Sequence, residues 1–363
     1  VRKKATTRYQ HEPDYAVAPG ETLAETIETL GMDQRELARR TGLHEHTLSQ
    51  IINGHAAITA ESAIKLERAT GVPASMWNNL EATYRERLAR IEDRKRLERD
   101  LGWLKTIPLR ELIRRGLVEP LKDPVAQLQA ALAFFGVNSP AEWEKQYLET
   151  CPAYRKSNCF QAEPGATSAW LRIGQLRGMS IEAEPYDASG FRKALFQARA
   201  LTTEPPATFE PRLKELCRQA GVALVFVKEI KGCPVSGATR WLTPTRPLIQ
   251  MTLRYKTNDH FWFTFFHEAG HIVNDSKKEV YIEDQHHDAQ REQQANRFAA
   301  DLLIPPAQVA TLPGLKTKAQ VMRFSQDIGI APGIVVGRLQ KDGVIRFSHM
   351  NDLKVRFAWS EVG

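Results

Sequence analysis

Apolar residues recur at helical spacing along most of this chain, and the places where that rhythm breaks mark its organisation. Leu23, Ile27 and Leu30 make a short amphipathic stripe that stops at Gly31. Asp33 followed by Glu36 opens a second helix with a capping-box-like pattern. Thr41-Gly42-Leu43 reads as a tight turn, and a third helix is expected from about His44 to Asn53, ending at Gly54. Ala38, Leu48 and Ile51 are the expected internal packing positions. Two short helices joined by a Gly-containing turn are the sequence form of a helix-turn-helix. Further helices are expected from Thr59 to Thr70 and from Pro73 through Trp77, Leu80 and Tyr84. Residues 85–100 carry mixed charge with Leu88, Ile91 and Leu97 along one side, the pattern of a linker or dimer helix. Leu109–Arg115, Pro124–Phe135 and Pro140–Tyr147 are further helical patches. The period then changes. Ala223–Val227 reads as a buried strand, and Ala238 to Leu253 holds more strand-like stretches.

Helical spacing returns in the apolar run Phe261-Trp262-Phe263-Thr264-Phe265-Phe266, which continues into His267-Glu268-Ala269-Gly270-His271. On a helix the two histidines are one turn apart on one face and can share a zinc ion. Glu268 is then placed to take a proton from a water held at the metal. Such a site needs a third ligand. Ala295, Phe298, Ala299, Leu302 and Leu303 mark a second amphipathic helix stopped by Pro305-Pro306, with Glu292 in its expected first turn and Asn296 one turn on. Glu292 is the candidate ligand and Asn296 a candidate supporting group; His286, His287 and Asp288 are rivals for the third position. Two core histidines and an ordinary first-turn carboxylate remain the plain alternative.

HEAGH followed by ExxANRFAADLLIP resembles the ImmA/IrrE family of zinc metallopeptidases, over roughly residues 200–310. The resemblance implies a zincin-like (gluzincin) α+β domain, with His267, His271 and Glu292 as metal ligands and Glu268 as general base. The metal it implies is Zn2+, and the same donors accept Mn2+. Tyr281, His260, His286 and His287 are candidates for stabilising the oxyanion. A strand beside the metal helix, either Ala238–Leu242 or Leu248–Leu253, would form the edge that receives an extended peptide.

At the other end, QRELARRTGLHEHTLSQIINGHAAIT resembles the XRE, or lambda-repressor-like, DNA-binding family. The flanking runs resemble HigA-type antitoxin repressors, over about residues 15–92. The resemblance implies that the third helix enters the major groove, with His44, Glu45, His46, Thr47, Ser49, Gln50 and Asn53 toward bases and Gln34 on a phosphate. Gln50 and Asn53 suit bidentate pairing with adenine, whereas Glu45 would have to meet a cytosine amine or face away from phosphate. A helical protein-interaction module is the alternative.

Composition narrows the picture further. The 363 residues allow two or three domains, and the net charge is +7. Acidic and basic residues balance over 1–100, so the helix-turn-helix is not a strongly basic patch. Most of the basic excess lies in 151–250, including Arg155, Lys156, Arg172, Arg177, Arg192, Lys193, Arg199, Arg240 and Arg246. Those residues suggest a second nucleic-acid surface, an acidic docking partner or simply a solvated face. No run is long enough to cross a membrane, no signal-peptide pattern is seen, and Cys151, Cys159, Cys217 and Cys233 lack CxxC spacing. Free thiols in the cytoplasm are expected.

The expected fold is multidomain and mainly α with an α+β part. It comprises a basic disordered arm (1–14), a helix-turn-helix bundle (15–84), a linker helix and helical middle domain (85–200), a metallopeptidase domain (201–310) and a small C-terminal helical extension (311–363). That last segment pairs Ala319–Ile328 with Gly333–Leu339 around a turn but lacks polar reading residues, so core support is its expected role. The function implied is a homodimeric regulator on an operator in double-stranded DNA, part of a stress, defence or toxin–antitoxin switch. Peptide-bond hydrolysis of a repressor or antitoxin would relieve repression, by self-cleavage between residues 85 and 110 or by cleavage of a partner. The alternative is a non-catalytic antitoxin or repressor whose zincin-like shell senses a ligand or binds a cognate toxin.

Overall fold

The computed structural model describes residues 15–149, 163–274 and 287–360. The chain divides into two compact units, Val1–Leu101 and Gly102–Gly363.

The first unit is helical: α1 (Pro19–Thr29), α2 (Gln34–Thr41), α3 (Glu45–Ile52), α4 (Ala60–Thr70) and α5 (Ala74–Arg99). The Asp33 carboxylate accepts the Glu36 N–H at 2.7 Å and so starts α2. Gly42 stops it in the left-handed conformation that glycine adopts without penalty. Leu23, Leu37, Leu48, Leu66 and Trp77 are fully buried and form the core. Two expectations are refined. Leu37 takes the fully buried position of α2 with Ala38 packed partly buried against the same core, and Leu30 is 48% exposed while Met32 turns inward beyond it. Gly20 is required by contact rather than by its φ, since a Cβ there would overlap the Ile51 carbonyl oxygen. Residues 85–99 are not a separate linker helix but the second half of α5.

The second unit begins with α6 (Leu109–Arg114), α7 (Pro124–Phe135), α8 (Pro140–Glu144), α9 (Pro164–Met179), α10 (Ala188–Ala200) and α11 (Pro206–Gln219). Three strands follow, β1 (Ala223–Phe226), β2 (Gly237–Thr243) and β3 (Arg246–Met251). The chain then forms α12 (Asn258–Asn274), α13 (His287–Leu303), α14 (Pro306–Val309), α15 (Lys318–Ile328) and α16 (Pro332–Lys341). The sheet order is β1-β3-β2, with β1 parallel and β2 antiparallel to β3. The stretch Leu248–Leu253 therefore contributes the central strand, and of the two strands proposed as an edge only β2 is one.

Alternation along β3 splits the sheet between two helices. Gln250 and Leu248 face α9: the Gln250 amide donates to Trp170 O at 2.7 Å, and a Cβ at Gly178 would touch Leu248. Ile249 and Met251 join the core that holds Trp262, Phe265 and Phe266 of α12. That core also contains Phe191 and Leu195 of α10, Val321 and Phe324 of α15, and Val335 and Leu339 of α16. It runs across residues 200–201 and 310–311, where the sequence pattern alone suggests boundaries. The C-terminal helices thus support the core. Among the described residues no helix is long and apolar enough to cross a membrane. Cys217 and Cys233 are buried, and burial pushes the Cys217 thiol up to about 12; Cys151 and Cys159 lie outside the described residues.

The start of α12 is fixed by a buried ion pair. Lys354 Nζ lies 2.6 Å from Asp259 and donates to Gln340 at 2.8 Å, and both partners of the pair are nearly inaccessible. Gly333 and Gly337 let α16 approach closely, because a Cβ at either would overlap Asn258 or Asp259. Removing one member leaves an uncompensated buried charge. Lys354→Met should destabilise the second unit by about 3–5 kcal/mol in urea unfolding, with Asp259→Asn added to it recovering part of the loss. A Lys354→Met cost below about 1 kcal/mol, the range of surface pairs, would show that the pair does not hold α12.

Candidate metal centre and nucleic-acid interface

Helix α12 has one face in the aromatic core and another that carries His267 and His271, each partly exposed. Their Nε2 atoms are 3.2 Å apart. Glu292 of α13 straddles them, with Oε2 3.3 Å from His267 Nε2 and Oε1 3.3 Å from His271 Nε2. Ligands at about 2.0–2.1 Å from a tetrahedral zinc stand about 3.3–3.4 Å from one another. The donor set therefore fits zinc in chemistry and in spacing, and these three residues are a candidate metal group within the described part of the chain.

The approach of the two helices depends on small residues. A Cβ at Gly270 would meet Ala295 Cα at 3.1 Å and the Phe298 ring at 3.2 Å. Arg199 of α10 fixes the far end of α13, its guanidinium donating to Leu302 O at 2.8 Å and to Leu303 O at 3.0 Å. Among the described residues α13 extends back to His287, so Glu292 lies beyond its first turn. Its position owes little to the helix end, which removes the first-turn explanation for a carboxylate there.

The two carboxylates of the site have opposite environments. Hydrogen bonds from His267 and His271 hold the Glu292 carboxyl far below the usual carboxylate range. Burial pushes the Glu268 carboxyl up, opposed by the charges of His267 and His271 and by the Thr239 hydroxyl. Thr239 Oγ1 lies 2.8 Å from Glu268 Oε2 and 3.0 Å from Glu268 O. Glu268 is 7% exposed, tucked under β2 where a Cβ at Gly237 would strike its side chain. Neither Thr239 nor Gly237 carries a motif that sequence reading could detect; the strand register alone brings them over Glu268.

Asn296 is half-buried and makes no hydrogen bond to the three donors, so the structure does not bring it into the group. His267 Nδ1 is buried without a partner among the described residues. His260 is exposed and stacks on Tyr255, one helical face away from Glu268. Tyr281, His286 and the side chains of His287 and Asp288 lie outside the described residues.

In the first unit, His44, Glu45 and His46 are exposed at the start of α3, with Thr47, Ser49, Gln50 and Asn53 partly or fully accessible on the side away from Leu48 and Ile51. His44 is the N-cap of α3 but makes no side-chain cap. The Asn53 amide is already engaged, donating to Ser49 O at 2.8 Å, whereas the Gln50 side chain makes no such bond. Glu45 faces Arg35 at 3.8 Å, which turns part of its charge away from any bound phosphate. Gln34 is exposed at the first position of α2.

The basic excess of the second unit has a different use from the one its sequence suggested. Arg172 donates to Phe134 O, Arg177 to Phe226 O, Arg192 to Val273 O, Arg199 to Leu303 O, Arg240 to Leu171 O and Arg246 to Met179 O. These guanidiniums bind backbone carbonyls, many at the ends of helices and strands. Arg155 and Lys156 lie outside the described residues.

Comparison with known proteins matches both regions of the chain to families. Residues 23–77 match the helix-turn-helix family, and residues 237–339 match the IrrE N-terminal-like domain. The chain is 38% identical over 63 residues to the uncharacterized HTH-type transcriptional regulator YddM of Escherichia coli strain K12, covering 17% of this chain and 67% of that protein. It is 39% identical over 66 residues to the antitoxin HigA-1 of Vibrio cholerae, covering 18% and 62%. It is 30% identical over 90 residues to the uncharacterized HTH-type regulator YbaQ of Escherichia coli strain K12, covering 24% and 78%. No solved structure matches the chain significantly. The chain belongs to the helix-turn-helix transcriptional regulators and carries, behind that module, a metallopeptidase-like domain of the IrrE N-terminal-like family.

Proposed function

We propose that this protein is a cytoplasmic transcriptional regulator that binds operator DNA as a homodimer through α2 and α3 and cleaves a repressor or antitoxin through a zinc-dependent endopeptidase centre. The observation that carries the enzymatic half is the convergence of His267, His271 and Glu292 at 3.2–3.3 Å beside a buried Glu268. A zinc ion held by those three side chains would lower the pKa of a water and polarise a peptide carbonyl. Glu268, its Oε2 steadied by the Thr239 hydroxyl, takes the proton of the attacking water and delivers it to the leaving amine nitrogen. Strand β2 has no strand partner on its outer edge among the described residues, so an extended substrate can add there and lie across Glu268.

The substrate favoured by this geometry is a separate protein. Residues 85–99, most of the span considered for self-cleavage, lie inside α5, and a helix must unwind before it can join a sheet edge. The likeness to the antitoxin HigA-1 supports a second reading, a non-catalytic antitoxin whose metal-site shell binds a toxin or senses a ligand. Metal and proton transfer separate the two.

Metal analysis of the purified protein should find about one zinc per chain, as a single site of this kind requires, and the metal should be lost in His267→Ala and in Glu292→Ala. Glu268→Gln should keep its zinc and lose cleavage. A metal-free wild type that takes up no added zinc would remove the peptidase reading and leave the non-catalytic one; recovered manganese would only change the ion. For the DNA module, sequences selected from a random duplex pool give the operator. Against it, Gln50→Ala should lose discrimination at one base pair by about 1–3 kcal/mol, while Gln34→Ala should weaken all sequences alike. An unchanged preference in Gln50→Ala would take Gln50 out of base readout.

A further inference from the structure

On the same exposed face of α12 as the metal histidines lies a strip of rings and cations that the proposed hydrolysis does not use. His260, Phe263, His267 and His271 recur at intervals of three and four, the spacing of one helical face. His260 stacks on Tyr255 with ring centroids 4.4 Å apart, and the Arg254 guanidinium lies 5.2 Å above the Tyr255 ring. One turn on, Lys341 of α16 sits 4.7 Å from the centre of the Phe263 ring, which itself stacks on His267 at 6.3 Å. Arg254, Tyr255, His260 and Lys341 are all exposed. Neither Arg254 nor Lys341 is ion-paired with another described residue, in contrast to the carbonyl-bound arginines elsewhere in this unit. Among the described acids, Asp259 is buried against Lys354 and Asp342 is paired with Arg338.

We propose that this strip is a substrate subsite that selects an acidic side chain in an extended peptide, on one fixed side of the bond to be cut. It rests on the endopeptidase reading above. The seven steps from His260 to His267 span about 10.5 Å of helix. An extended peptide covers that distance in about three residues. A peptide seated at the metal would therefore bring its second or third residue over Phe263 and His260, where Lys341 and Arg254 present charge without a counter-ion. The rings hold the two cations in place and supply an apolar floor for the carboxylate-bearing side chain. A single-stranded nucleic acid could use stacked rings and cations too. The peptide is favoured because the strip continues the line of the metal ligands, where a peptide carbonyl would react.

The test uses the full-length zinc-loaded protein in two measurements. Digestion of a peptide library derived from a bacterial proteome, read by mass spectrometry, should show Asp or Glu enriched two or three residues from the cut, always on one side. The enrichment should disappear in the Arg254→Ala, Lys341→Ala double variant while cleavage continues. Independently, the zinc-loaded Glu268→Gln protein should bind a fluorescein-labelled decapeptide with two central glutamates on the order of tenfold tighter than its glutamine counterpart. That is the size expected of two surface charge pairs, and the double variant should lose it. Cleavage with no acidic preference, or equal binding of the two peptides, overturns the subsite and leaves the peptidase standing. Tighter binding of a ten-nucleotide oligothymidylate than of the acidic peptide assigns the strip to nucleic acid and overturns it as well. No cleavage by wild type removes the peptidase and the subsite together. Circular dichroism of the double variant should match wild type, since both side chains are exposed.

Discussion

The larger unit depends on how closely α12 and α13 cross. Two imidazoles one turn apart are an unremarkable property of one helix, and a carboxylate on another helix is no more informative. What makes them a group is a close approach at two small residues, with Ala295 Cα at 3.1 Å from where a Cβ on Gly270 would stand. A side chain at 270 would crowd Ala295 and Phe298 on the helix that carries Glu292, which stands 3.3 Å from both rings. The surrounding structure fixes this crossing from three directions. The aromatic core lies beneath α12, the Asp259–Lys354 pair holds its start, and Arg199 holds the end of α13. Each of these acts on a helix rather than on a ligand, which is how a site gains precision from rigid elements.

Much of this was legible in the sequence, and what was not has a physical reason. The caps and turns of the first unit are local chemistry, so Asp33 and Gly42 gave the helix-turn-helix nearly to the residue. The meeting of the His pair with Glu292 was legible because a candidate metal site asks for residue type and helical spacing together. That helix α13 reaches back at least to His287 was not, since Glu292 resembles a helix-opening residue from its neighbours alone. Thr239 and Gly237 could not be found because their importance depends on strand register, and a one-residue slip would turn both away from Glu268. Likewise, only the paired strands reveal that β3 is central and β2 an edge.

The charge pattern carries a similar lesson. A surplus of arginine in 151–250 invites a nucleic-acid surface, yet these guanidiniums bind backbone carbonyls in the same unit. Helix ends leave carbonyls without intrahelical partners, and a planar five-donor group satisfies them better than an ammonium can. Net charge therefore misleads where cations serve the backbone. The informative cations are those with no such partner, and Arg254 and Lys341 are of that kind, on the face that carries the metal ligands.

The choice between an enzyme and an enzyme-like shell turns on Glu268. A shell that only bound a toxin or sensed a ligand would gain nothing from a carboxylate at 7% exposure whose side chain has one neutral hydroxyl, Thr239, as its hydrogen-bond partner. Burial raises the Glu268 carboxyl against the pull of His267, His271 and Thr239, and glutamine in its place would accept the same hydroxyl without a buried charge. The three metal ligands do not need it, because Glu292 already supplies their negative charge. A buried carboxyl pushed up beside a second carboxyl held down is the division of labour that separates a proton carrier from a ligand. Local cost without a structural return is expected where a residue acts in chemistry. By that argument the arrangement favours hydrolysis over mere recognition, and it does so on this chain's own residues without appeal to its relatives.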